Sequence, residues 1–309
     1  MKPISVIIPC YNCSTYLAQA IDSALAQTYP VKEIVVVDDG STDDSPAIMA
    51  RYRERIRVVR QTNAGLPAAR NAGIQASTGE WLAFLDADDW WHQDFLLKTA
   101  NMLKSSDAVL AYTGWHNIGA PPPFHEPFVP EDYESAKPSK AARLIRSTGW
   151  PVHAALIRRE ALFEAGLFNT TLKSCEDFDL WLRIALTRRI ARVPEVLAFY
   201  RFHPGQMTRN QMRIVLTHYR IQKAFLRAHP DILGTHGRKL KRLITSGELL
   251  KRGYRAYWAR DLPAARAIFR QVMRDVYGKP ADWKYMLPAW LPESWHRWLI
   301  RRLENDARA

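Results

Sequence analysis

Residues 84–91 read FLDADDWW and set three carboxylates, Asp86, Asp88 and Asp89, within four positions. Charges this close repel one another, and the repulsion costs stability unless a cation offsets it. A second acidic pair, Asp38-Asp39, precedes Gly40-Ser41, and Asn12 and Tyr11 follow an earlier apolar run. In parallel α/β sheets ligands bind at the carboxyl ends of the strands. Each of these polar groups follows an apolar run, so all of them are expected on one edge. A cleft rich in carboxylate oxygens suits a hard divalent cation, and Mg²⁺ typically uses one or two carboxylates plus phosphate oxygens. The chemistry expected is therefore a metal ion carrying a phosphate-bearing ligand. Two plainer readings stay open: Asp38-Asp39-Gly40-Ser41 as a turn with an N-cap, and Asp86/Asp88/Asp89 as acidic residues facing a helix dipole. An Asp-x-Asp phosphatase would place its nucleophile after the first strand, whereas this pair follows the fourth. No G-x-G-x-x-G and no G-x-x-x-x-G-K-[ST] occurs, so the dinucleotide and P-loop fingerprints are absent.

The elements that must position these groups follow from periodicity. Apolar runs at 4–8, 33–37, 56–60, 81–85 and 108–112 read as strands. Segments 14–27, 45–55, 67–76 and about 94–104 carry helical spacing, with Pro67 suited to a first turn. This alternation predicts an α/β fold, a mostly parallel sheet with helices on both faces. Residues 119–138, with six prolines, read as a long loop of the kind that often acts as a lid. From 209 onward the pattern is helical. Segments 218–227, 239–252 and 262–276 carry apolar stripes, and a hairpin turns at Asp261-Leu262-Pro263. That hairpin faintly resembles one tetratricopeptide unit, but one unit is no array.

The 309 residues suffice for one large domain or two. Three cysteines argue against a disulfide framework, and Cys10-x-x-Cys13 lacks the second ligand pair of a zinc site. The net charge of +13 is uneven: residues 1–200 hold 21 Lys and Arg against 23 Asp and Glu, residues 201–309 hold 23 against 8, a net +15. No apolar run reaches the roughly 20 residues needed to span a bilayer. Residues 1–12 lack the longer apolar segment and cleavage site of a signal peptide. The expectation is a cytoplasmic protein.

Five motifs, SVIIPCYN, VVVDDGSTD, NAGLPAARNAG, FLDADD and CEDFDLWLR, occur in this order at ordinary spacings. Together they resemble family two of the glycosyltransferases, which has the GT-A fold. The resemblance covers about residues 1–205 and implies a catalytic domain over 1–205, followed by a basic, Trp-rich helical region over 206–309. The activity it implies is inverting transfer of a sugar from a nucleotide-diphosphate sugar, a UDP-sugar by preference, to an acceptor hydroxyl, with Mn²⁺ or Mg²⁺ as cofactor. Carried over by position, Pro9, Tyr11 and Asn12 line the nucleotide, Asp39 accepts the base N3–H, and Arg70 borders the nucleotide. Asp86 lies near the ribose, Asp88 ligates the metal, and Asp177 is the general base. His203, in Tyr200-Arg201-Phe202-His203, would reach the metal or diphosphate. A helix opening at Asp177 has an apolar face through Phe178, Leu180, Trp181 and Ile184, and its dipole would keep the carboxylate ionised. The Q-x-x-R-W motif of processive synthases is missing, so transfer of a single residue is expected.

The partners implied are a nucleotide-sugar donor and a glycan or lipid-linked acceptor in cell-surface polysaccharide synthesis. No module that reads nucleic acid is present. Trp283, Trp290, Trp295 and Trp298 lie among basic helices, with Leu299, Arg301 and Arg302 close behind, and suit peripheral contact with an anionic membrane. The rival class is a degenerate nucleotide-sugar-binding protein docked on a membrane by its basic tail. The presence of Asp39, Asp88 and Asp177 argues against it. Oligomeric state, donor sugar and linkage are not encoded in any recognisable pattern.

Overall fold

The computed structural model describes residues 1–121, 125–203, 205–206, 210–234 and 237–298. The chain divides into two units, Met1–Gln206 and Met207–Ala309. In the first, eight strands form one sheet in the order β3-β2-β1-β4-β7-β6-β8-β5.

The parallel half of that sheet is β3 (Arg57–Arg60), β2 (Val31–Asp38), β1 (Ile4–Cys10) and β4 (Trp81–Phe84). Ile7 lies opposite Val35 on one side and Phe84 on the other. This register sets the ends of β1, β2 and β4 side by side at one edge, so the loops that follow them meet there. Every residue of β1 is buried, which requires cover on both faces. On one face lies α3 (Leu66–Ala76), whose Ala69 packs with Val35 and Val37. The approach is close: a Cβ at Gly73 would stand 2.4 Å from Ile7 Cγ2. Two further helices, α1 (Leu17–Leu25) and α2 (Ser45–Arg51), follow the loops after β1 and β2.

The second half is mixed. The strand β5 (Trp90–Trp91) and the helix α4 (Phe95–Lys104) follow the acidic turn; then come β6 (Leu110–Ile118), α5 (Lys140–Arg146), β7 (Ala155–Arg158), α6 (Arg159–Glu164), α7 (Glu176–Ala185) and β8 (Ile190–Arg201). β7 runs antiparallel to both β4 and β6, and β5 antiparallel to β8, so the other six strands share one direction. Periodicity did not mark β5, β7 or β8. β7 has four residues between a tight turn and a helix, and β8 contains Pro194 where its register against β6 shifts. Pairing of Ile118 with Arg201 and of Trp90 with Phe199 brings the end of β8 to the acidic turn. No helix begins at Asp86, Asp88 or Asp89, which form that turn; the next helix starts at Phe95.

The second unit is helical: α8 (Gln211–Ala228), α9 (Gly237–Arg242), α10 (Glu248–Trp258), α11 (Leu262–Arg274) and α12 (Pro280–Met286). A single wide turn, Leu243–Gly247, interrupts the helix expected over 239–252. The hairpin between α10 and α11 turns where expected, with the Asp261 side chain accepting from Ala264 N–H. Tyr219, Leu249, Tyr257, Ile268, Phe269 and Val272 form the core, and Trp283 packs against it. Arg266 donates to Leu291 O (2.6 Å) and Arg270 to Ala289 O (2.7 Å), fastening the segment after α12 onto α11. Trp290 lies beneath the guanidinium groups of Arg270 and Arg274. Leu299, Arg301 and Arg302 lie outside the described residues. Among the described residues no helix is long and apolar enough to cross a membrane.

Candidate active site

Two loops build one side of the cleft. Asn12, at φ 50°, accepts Thr42 N–H on its side-chain oxygen (2.7 Å), and its own N–H donates to Ser41 Oγ (3.1 Å). Its side chain thus knits the loop after β1 to the loop after β2. Asp38 accepts Ser41 N–H (2.9 Å), as the plain-turn reading required. The turn needs glycine at Gly40, where φ is +81° and a Cβ would stand 2.9 Å from Asn63 N. Asp39 faces the other way and is almost wholly buried. Its Oδ1 accepts from Gln61 Nε2 (2.7 Å) and Ala64 N–H (2.9 Å), and its Oδ2 from Gly65 N–H (2.9 Å). Pro9 is buried within β1, whereas the Tyr11 ring is half exposed at the rim.

The acidic turn after β4 is offset by protein cations and dipoles, each carboxylate separately. Arg70 of α3, 2 % exposed, donates to Asp86 Oδ1 and to Glu176 Oε1, both at 2.6 Å. Asp88 Oδ2 lies 2.9 Å from His203 Nε2, and Arg201 Nε donates to the Asp88 carbonyl (3.0 Å). Asp89 is sealed inside: its Oδ1 accepts Arg201 N–H (2.8 Å), and its Oδ2 lies 3.1 Å from His153 Nδ1. Burial lowers the His153 pKa to about 4 and, with Asp88 and Asp86 nearby, raises that of Asp89. Burial thus works against charge on either partner. Burial followed by Asp86 also raises the Asp88 pKa, and the His203 hydrogen bond opposes this.

Two donor sets could hold a cation. Atoms of Asp86, Asp89 and His153 lie within 4.8 Å of one another. However, Asp86 is engaged by Arg70, and Asp89 and His153 have no exposed surface. Asp88 and His203 keep side-chain exposures of 27 % and 17 %. Their 2.9 Å separation fits two neighbouring ligands of an octahedral ion with bonds of about 2.1 Å. Carboxylate suits Mg²⁺ and Mn²⁺, and imidazole suits borderline ions such as Zn²⁺ and Fe²⁺. The accessible oxygen–nitrogen pair is thus the better placed of the two to take up a cation.

The opposite side of the cleft is the start of α7. Its apolar face, Phe178, Leu180, Trp181 and Ile184, is buried. Two side chains of α3 hold the segment that leads into it: Asn71 bonds both the N–H and the C=O of Phe168 (3.0 and 2.9 Å), and the Arg70 guanidinium lies over the Phe168 ring. Asp177 is thereby set beside Glu176 and Arg70. Asp179 turns away and pairs with Arg183 (2.8 Å). The expectation that the helix dipole keeps Asp177 ionised is corrected here. Burial, and then the Glu176 carboxylate, push its pKa up to about 7 against the opposing pull of Arg70. A dipole acts at the level of tenths of a kcal/mol to about 1 kcal/mol, less than desolvation at a crowded site.

The glycosyl transferase family 2 model matches residues 5–163, about half of the chain. An uncharacterized glycosyltransferase of Rickettsia typhi is 32 % identical over 229 residues, covering 72 % of this chain and 71 % of its relative. The chain belongs to glycosyltransferase family 2. The glycosyltransferase GlyA of Streptococcus pneumoniae matches over a shorter stretch, 48 % identical over 118 residues, 37 % of this chain and 17 % of that one. Among solved structures, residues 1–349 of S. aureus TarS in complex with UDP-GlcNAc superpose with a TM-score of 0.65 at 19 % identity, covering 89 % of this chain and 82 % of that one. The mannosyltransferase PcManGT of Pyrobaculum calidifontis, in complex with GDP-Man and Mn²⁺, gives 0.56 at 21 % identity, covering 93 % and 84 %. The fold of this family 2 transferase is thus GT-A.

The structure brings Asp39, Asp86, Asp88, Asp177 and His203 to one edge of the sheet. Two further sequence-derived residues have protein partners. Asn12 shapes the loop, and its side-chain oxygen is already taken by Thr42. Arg70 is the buried cation of the cleft, with both terminal nitrogens on carboxylates. Two participants escaped sequence reading: Gln61, which carried no signal, and Arg201, which lay inside the quoted Tyr200–His203 motif. Replacing Arg70 by Met should leave two carboxylates facing each other with no cation. Breaking one side of a buried ion pair costs about 3–5 kcal/mol. Urea denaturation should show a loss of that order, with part of it recovered in Arg70→Met/Glu176→Gln.

Proposed function

We propose that this protein transfers one sugar, with inversion, from a nucleoside diphosphate sugar to an acceptor hydroxyl, and that a UDP-sugar is the donor. The observation that carries the reading is the Arg70 bridge. One side chain holds Asp86, two residues from Asp88, and Glu176, next to Asp177. The diphosphate-binding end and the proton-accepting end of the cleft therefore stand a single guanidinium apart.

The residues take these roles. Asp39 accepts the base N3–H on its free position, and Tyr11 offers its exposed face to the base. Asp86, with one oxygen on Arg70, offers the other to the ribose. Asp88 and His203 would hold a divalent ion, and such an ion would supply positive charge against that developing on the departing diphosphate. Asp177 takes the proton from the acceptor hydroxyl as it attacks the anomeric carbon from the face opposite the leaving group. With Asp177 as the base, a single displacement with inversion is the chemistry proposed. A base with a pKa near 7 is matched to neutral pH, at which it is ionised about half the time yet remains basic enough to accept a proton.

The second unit carries the acceptor side of the proposal. Trp258 and Trp295 are each more than 60 % exposed, and Trp290 and Trp298 about half exposed, on a region with a +15 charge. Aromatic rings among cations suit an anionic lipid surface. This supports docking on the cytoplasmic face of a membrane, where a lipid-linked glycan would be extended during polysaccharide synthesis.

Three outcomes are expected. In calorimetric titration with Mn²⁺ present, Asp88→Ala should bind UDP at least about tenfold more weakly than wild type, and chelation should weaken wild type similarly; equal affinities would remove Asp88 from the metal site. Asp177→Asn should keep UDP binding yet lose about 10²–10⁴-fold in transfer rate. In wild type the ionised form is the base, so turnover should rise with pH through about 7 and then level; a limb that persists in Asp177→Asn would place the base elsewhere. Finally, the protein should co-sediment with vesicles containing anionic lipid at low salt and be released as salt rises, each cation near the surface contributing about 1 kcal/mol. Trp258→Ala/Trp295→Ala should weaken this without lowering the melting temperature, and indifference to such vesicles would rule out the membrane reading.

A further inference from the structure

We propose that Gln61 decides which nucleobase the cleft accepts, by closing one oxygen of Asp39 and leaving the other as a single acceptor beside an amide donor. The inference rests on reading this edge as the donor-nucleotide site.

An ionised carboxylate has about four in-plane acceptor positions, two on each oxygen. On Asp39 three of them are filled. Gln61 Nε2 and Ala64 N–H take both positions on Oδ1, at 2.7 and 2.9 Å, and Gly65 N–H takes one on Oδ2, at 2.9 Å. One position remains, on Oδ2. The group is 3 % exposed, so water does not compete for that position as it would at a surface. Gln61 itself is held by the sheet: its backbone N–H donates to Asp38 O (3.0 Å), just past the last β2–β3 pair, Asp38 with Arg60. Its Nε2 carries two hydrogens, and Asp39 Oδ1 is the only partner of that nitrogen among the described residues. The edge therefore keeps one acceptor position, on Asp39 Oδ2, while the Gln61 Nε2 that closes Oδ1 retains a second hydrogen.

Uracil and thymine fit this edge. Each has one in-plane N–H, at N3, flanked by carbonyl oxygens, so N3–H meets Oδ2 and a neighbouring carbonyl meets the Gln61 amide. Guanine presents two adjacent donors, N1–H and the 2-amino group, a pair suited to a carboxylate with both oxygens open. Here Oδ1 is closed, and the hydrogen left on the amide gives guanine's second donor no acceptor. Leaving one donor without a partner in a desolvated site weakens binding roughly tenfold or more.

Calorimetric titration of the full chain with UDP, GDP and inosine diphosphate, in the presence of Mn²⁺, tests the proposal. UDP should bind at least about tenfold more tightly than GDP. Inosine diphosphate is a purine with N1–H but no 2-amino group, and it should fall between the two. In Gln61→Met, which frees Oδ1 and removes the amide, the UDP-to-GDP ratio should shrink several-fold while the melting temperature stays near wild type. GDP affinity within threefold of UDP in wild type would overturn the proposal. So would equal weakening of inosine and guanosine diphosphates, which would point to purine size. An unchanged ratio in a folded Gln61→Met would overturn it as well. If none of the three nucleotides binds, the donor-site reading itself fails, a result distinct from any loss of base selectivity.

Discussion

The cleft depends on one buried cation. Arg70 comes from α3, Asp86 from the turn after β4 and Glu176 from the start of α7, and both contacts are 2.6 Å. An unpaired guanidinium in this setting would carry a large desolvation penalty, as would either carboxylate alone. Each partner therefore needs the other two. This mutual requirement ties α7 to the sheet edge, since 106 residues of chain separate Arg70 from Glu176. The neighbouring Asn71 reinforces the tie through the backbone of Phe168. An α3 pressed against β1, with glycine at position 73 where no Cβ fits, gives both side chains a rigid origin.

Around that cation the acidic residues diverge in role because their surroundings differ. Asp89 is sealed beside His153 and anchors the end of β8 through Arg201 N–H. Asp88, one residue away, keeps solvent access and faces His203. Asp38 closes a turn, whereas Asp39 gathers three donors and keeps one position open. Asp177 is left ready to exchange a proton near neutral pH, and Asp179 is locked to Arg183. Identical side chains are sorted into structural and chemical roles by burial and by which donors reach them.

The second unit has a different logic. Its core is aromatic and compact, and its arginines serve two purposes. Arg266 and Arg270 satisfy carbonyls of the segment after α12, while Arg270 and Arg274 flank the half-exposed Trp290. Part of the excess positive charge is thus internal fastening, and only the remainder is available to a partner surface.

Periodicity alone determined the early strands and helices of the first unit, because their apolar runs are long and their turns carry Pro, Gly and Asp. The five ordered motifs determined the family, and with it the polar residues at the sheet edge. Periodicity did not reveal β5, β7 and β8, which are short, or interrupted by Pro194, and exist because partner strands exist. Nor could sequence show that the cation beside Asp86 is Arg70, that Asn12 supports a loop, that Gln61 caps Asp39 or that Asp177 titrates near 7. Each of those depends on groups brought within hydrogen-bonding distance from distant parts of the chain, and on how much water the closed sheet edge excludes. Desolvation and lone-pair occupancy are properties of the packed site, and only the tertiary structure decided them.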